Sequence, residues 1–143
     1  MSIIATASAR SSAPATAFFA RWGDMETWPE WNTDTAWVRL DGPFVQGATG
    51  VLKPKGGPKV RFTVTRLDDH AFVDVSRMPG GRVTFDHRIE ETAAGTTIEV
   101  TLSIDGPLGW LWRRILADDF RTSLRPDLDR LVATVEADQA RTA

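Results

Sequence analysis

The chain has no cysteine, no tyrosine and only two histidines among its 143 residues. Without cysteine there is no structural disulfide, no thiolate nucleophile and no sulfur-ligated zinc or iron–sulfur site, and a reducing cytoplasm is the expected address. Without tyrosine there is no phenol to serve as an acid. An excess of basic residues is missing too: 17 Lys and Arg against 19 Asp and Glu leave a formal net charge of -2, so no nucleic-acid partner is expected. Nor is there an apolar run near the roughly 20 residues that a membrane-crossing helix needs. Ile3-Ile4-Ala5 is soon interrupted by polar residues, so neither secretion nor membrane insertion is expected. The length suits one domain over 1–143, with a core of about 3–136 that can form without staples.

What is present reads as strands followed by one long helix. Residues 2–10 form a strand, and Ser11-Ser12-Ala13-Pro14 then opens a short helix over about Pro14 to Arg21. A second short helix or packed turn spans the Trp-rich segment from Trp22 to Asn32, where Gly23, Pro29 and Asn32 prevent a longer element. Six strands follow at 35–40, 47–53, 59–67, 71–78, 82–91 and 96–105, separated by Gly, Pro and Asp clusters short enough for hairpins. In the last of them Ile98, Val100, Leu102 and Ile104 share one face, and Thr97, Glu99, Thr101 and Ser103 the other.

After Asp105-Gly106-Pro107 the period changes. Leu108, Trp112, Leu116, Phe120, Leu124, Leu128 and Val132 recur every fourth residue, which marks an amphipathic helix whose apolar stripe drifts around its axis. Pro126 predicts a kink or break near 122–126, and Ala137 to Ala143 are expected to fray. Arg113 and Arg114 oppose the helix dipole and are assigned to solvent or a partner acid. The sum is an α+β fold: a curved seven-stranded antiparallel sheet around a long C-terminal helix, with two short helices after the first strand. Gly47 and Gly50 are placed where the sheet could bend.

Trp28-Pro29-Glu30-Trp31-Asn32, Leu40-Asp41-Gly42-Pro43-Phe44, Gly47-Ala48-Thr49-Gly50, Phe85-Asp86-His87-Arg88-Ile89-Glu90 and Gly106-Pro107-Leu108 resemble the START/Bet v1-like (SRPBCC) superfamily. Within it, the chain resembles bacterial proteins labelled polyketide cyclase/dehydrase. The resemblance implies a helix-grip fold with an internal cavity for a small hydrophobic molecule or lipid. It implies enzymatic activity in some members and simple binding in others.

His87 shares strand parity with Val83, Phe85 and Ile89, so it points inward, where it could act as acid or base on a ligand carbonyl or simply be a satisfied core histidine. Its partner depends on the turn at Pro79-Gly80-Gly81. A two-residue loop at Gly80-Gly81, or a four-residue loop at 79–82, sets Asp74 opposite His87; a three-residue loop sets Val73 there and turns Asp74 and Ser76 to solvent. Apolar matching favours the three-residue loop. The expected cavity wall is Trp28, Trp31, Phe62, Phe85, His87, Leu102, Trp112, Leu116 and Phe120. His87 and Glu90 point to opposite strand faces and His70 lies in a loop with Asp68 and Asp69, so no metal site and no cofactor are expected. Ligand identity and oligomeric state stay open. The leading function is binding of a small hydrophobic or polycyclic ligand as carrier or sensor; the alternative is a cyclase/dehydrase-like enzyme using His87.

Overall fold

Ile98, Val100, Leu102 and Ile104 are all buried in the computed structural model, which describes residues 2–142. The strand that holds them, β7 (Gly95–Asp105), pairs with β1 (Ser2–Ser11) on one side and β6 (Gly81–Thr92) on the other. β5 (Ala71–Met78), β4 (Val60–Asp68), β3 (Thr49–Pro54) and β2 (Thr35–Asp41) continue the sheet in that order. Every pairing is antiparallel, with β1 and β2 at the edges. Between β1 and β2 lie helix α1 (Ala15–Gly23) and a 3-10 helix, Met25–Glu30. Helix α2 (Gly109–Thr142) closes the chain, giving the expected helix-grip arrangement.

The inner face of the sheet meets α1, α2 and the 3-10 segment in one large apolar cluster that includes Phe18, Trp22, Trp28, Phe72, Ile98 and Leu131. A smaller cluster of Ile4, Val83, Ile104 and Ala117 lies near the start of α2. The drift of the apolar stripe has a visible result. Leu128, Leu131 and Val135 are buried, whereas Trp112, Leu116, Phe120 and Leu124 in the first half are only partly covered, and Leu108 and Ile115 are exposed.

Several expectations are corrected. The β5–β6 link is a two-residue turn at Pro79-Gly80, because Pro79 supplies the fixed φ of the first central position and Gly80 takes φ 71 at the second. Met78 therefore faces Gly81 and Phe72 faces His87, which is neither of the two registers considered. The three-residue loop that apolar matching favoured is excluded: Asp74 and Ser76 share the inner face with His87, and Val73 lies on the outer face. Apolar matching misled because Val73 is buried on the outer face as well.

Helix α2 also runs unbroken through Pro126. Thr122, whose carbonyl loses its donor there, is exposed along with Pro126, so water can satisfy the freed group. Instead of fraying from Ala137, the helix continues to Thr142. Arg21 of α1 grips the Asp138 carboxylate through Nε at 2.6 Å and a terminal nitrogen at 2.9 Å. Arg113 is neither left to solvent nor paired with an acid: it donates to the Ser2 hydroxyl and the Ile3 carbonyl. Arg121 donates to the Ile4 carbonyl, so two arginines of α2 cover the open edge of β1. Curvature comes from bulges in β1 near Ile3/Ala5, in β2 near Thr35/Trp37 and in β4 near Val64/Arg66. Gly47 precedes β3, and Gly50 serves close approach, since a Cβ there would lie 2.4 Å from the Phe62 ring.

Candidate functional site

Strand parity turns His87 inward from β6, and its neighbours are aromatic. Its ring stacks on Phe72 with centroids 4.7 Å apart and lies 5.2 Å from the Trp22 ring. Trp28 and Phe44 pack edge-on against the same Phe72, and Trp31 packs against Trp28. Nδ1 of His87 donates to the Phe72 carbonyl at 2.9 Å, which leaves Nε2 as the acceptor nitrogen. His87 keeps some accessible surface, yet burial of its ring pushes the imidazole down to about 4, an effect that the Phe72 carbonyl and Asp86 only partly offset. At neutral pH this ring is uncharged.

Two strand positions along the inner face stands Asp74. Val64 of β4 and Phe85 of β6 flank it, so it is diagonal to His87. Asp74 is 6% exposed, and burial alone pushes its carboxyl up to about 8, with no hydrogen bond from a described residue to hold the charged form. Ser76, also buried, follows on the same face between Phe62 and Val83. Neither side chain is among the fully enclosed polar groups without a partner, which include the indole nitrogens of Trp22 and Trp31. Each keeps only a sliver of accessible surface, 6% for Asp74 and 9% for Ser76. A protonated carboxyl here can donate one hydrogen bond and accept another.

The residues assigned to the wall from the sequence fall into two groups. Trp28, Trp31, Phe62 and Leu102 belong to the large cluster, and Trp112 and Leu116 pack against the smaller one. Phe85 and Phe120 touch both and meet each other edge-on at 5.8 Å. Trp112 stands apart from the aromatic group around His87: its ring covers Gly81, and its indole N–H donates to the Pro79 carbonyl at 2.7 Å. Trp22 and Phe72, the closest neighbours of His87, were not assigned to the wall. The signal for Phe72 was its parity in a strand whose register was unsettled. For Trp22 it was the indole itself, placed only when α1 docks.

Two surface depressions reach the margins of this region. One of about 440 Å³ is lined by Thr16, Phe19, Phe44, Leu67, Asp68 and Asp69, and one of about 350 Å³ lies beside the β5–β6 turn. Among the described residues no three His, Asp or Glu side chains converge as metal ligands would, and no helix is long and apolar enough to cross a membrane.

Solved structures share this architecture at low identity. Protein MLL2253 from Mesorhizobium loti is 12% identical with a TM-score of 0.74, over 93% of this chain and 96% of that one. Ara h 8.0201 is 14% identical with a TM-score of 0.65, over 93% and 97%. The di-domain ARO/CYC StfQ from the steffimycin biosynthetic pathway is 14% identical with a TM-score of 0.71; the match takes in 96% of this chain but only 52% of StfQ. A sequence search of curated proteins finds no significant match. Residues 2–136 match the family described as polyketide cyclase / dehydrase and lipid transport, and the chain belongs to that family.

Proposed function

We propose that the protein binds a small hydrophobic or polycyclic molecule between the inner face of the sheet and α2, as a carrier or sensor. The observation that carries this reading is Asp74, a buried carboxyl on a largely apolar face with no hydrogen-bond partner among the described residues. Burying such a group costs free energy unless something pairs with it, and a ligand carbonyl or hydroxyl would supply the partner. Half-buried Phe85, paired with Asp74 across the strands, and Phe120, edge-on against Phe85, offer apolar contact to the body of the ligand. The family description and the likeness to StfQ also admit a cyclase/dehydrase in which His87 moves protons. An imidazole held neutral and committed through Nδ1 to a backbone carbonyl suits orienting a ligand better than acid or base work near neutral pH.

The test is a fluorescence titration, since Trp22 and Trp28 lie in the aromatic group around His87. Neutral polycyclic ketones and long-chain fatty acids are the panel. Ketone binding should weaken as pH rises through about 8, where Asp74 loses the proton it would donate, and Asp74→Asn should bind with a flat pH profile. No response across the panel would remove the binding role; a response with an unchanged pH profile in Asp74→Asn would remove Asp74 from it.

A further inference from the structure

We propose that one end of the molecule docks on the surface of a bilayer containing anionic phospholipid. Strand pairing gathers at this end the β3–β4 and β5–β6 turns, the start of β1, the end of β7 and the first turns of α2. All three lysines of the chain, Lys53, Lys55 and Lys59, lie in or beside the β3–β4 turn. Arg61 and Arg77 face each other across β4 and β5 next to it, and Arg113 and Arg114 stand near the start of α2. None of these seven has a carboxylate partner among the described residues. Nine other arginines have one, and Arg10, the remaining basic residue, lies towards the opposite end of β1. A chain with a net charge of -2 thus concentrates its uncompensated positive charge at one end.

Exposed apolar side chains collect there as well. Trp110 is 65% exposed, and Ile3, Leu108 and Ile115 join it on the starts of β1 and α2. An indole is at home at the level of lipid headgroups, where its ring is half buried and its N–H stays wet. Cations on long stems spread over two turns and a helix suit a layer of many equivalent phosphates, each gaining from the negative surface potential of the leaflet. They suit a single fixed acidic site on a protein less well. This inference does not depend on what occupies the interior.

The experiment is co-sedimentation of the full chain with phosphatidylcholine vesicles, with and without phosphatidylglycerol, at low and high salt. Binding is expected only with phosphatidylglycerol, and should fall at high salt. It should drop about tenfold or more in Lys55→Glu/Lys59→Glu/Arg114→Glu. Trp110→Ala should weaken it separately. These residues are exposed, and circular dichroism checks that both variants keep the wild-type fold. Absence of binding to anionic vesicles would overturn the proposal, as would binding that neither variant reduces. Self-association abolished by Trp110→Ala, or capture of an acidic protein, without vesicle binding would assign this end to a protein partner and also overturn it.

Discussion

The imidazole of His87 lies nearly flat on the ring of Phe72, 13° from parallel, while its Nδ1 donates to the carbonyl of that same residue. One residue thus fixes both the plane and the tautomer of the histidine. The register that makes them neighbours follows from the Pro79-Gly80 turn.

His87 should therefore titrate far below an ordinary histidine, with a midpoint near pH 4 and the Nδ1–H tautomer above it. Nitrogen-detected NMR of the imidazole measures both. A midpoint above 6 would return the ring to the list of acid–base candidates. His87→Gln should leave the pH profile of ligand binding between 5 and 8 unchanged.

Asp74 makes stability depend on pH with the opposite sign to most carboxylates. Its folded value of about 8 lies above the unfolded value near 3.9, so the native state holds the extra proton and stability falls as pH rises from about 4 to 8. His87 works the other way: its depressed value means stability is lost as pH falls from about 6.5 to 4. The two nearly cancel below 6.5, leaving a net decline between 6.5 and 8 of up to about 2 kcal/mol. Urea midpoints at both ends of that window should show the decline in the wild type and its loss in Asp74→Asn; a decline that persists would shift the cause elsewhere.

Along α2, burial separates residues that the fourfold repeat treats alike. Leu128→Ala should cost ~2–5 kcal/mol as a buried large-to-small change, whereas Ile115→Ala, at 54% exposed, should stay within ~0.5 kcal/mol. Arg113→Ala should cost about 1 kcal/mol by uncovering the edge of β1. Chemical denaturation of the three variants gives the comparison, and equal effects at Leu128 and Ile115 would refute the packing of α2.

Pro126→Ala should stabilise the protein by ~1–3 kcal/mol, since the exposed helix interior regains a donor for the Thr122 carbonyl and loses the steric clash of the ring. Thermal melts monitored by helical ellipticity test this. A lower melting temperature would show that the proline is accommodated by a bend on which the packing of Leu128 and Leu131 depends.

Much of the architecture could be read from the amino-acid order, because the determining physics there is local. The alternation of Ile98, Val100, Leu102 and Ile104, the fourfold repeat from Leu108 and the Gly-Pro punctuation between strands each act within a few residues. They yielded seven strands, the order of elements and the inward side of His87. Other features depend on contacts distant in sequence. The depressed imidazole needs Phe72 and Trp22 around it, and Trp22 arrives only when α1 docks on the sheet. Arg21 and Asp138, 117 residues apart, hold the end of α2 in place, and no local signal marks that pairing. Asp74 is the sharpest case. Its side of the sheet turned on whether the β5–β6 link held two, three or four residues, and one residue more or less would have moved it to the opposite face. Turn chemistry favours Pro79-Gly80, with proline at the first central position and glycine at the second, but only the packing of Phe72, Phe85 and α2 on the inner face decided that the carboxyl turned that way meets an apolar interior.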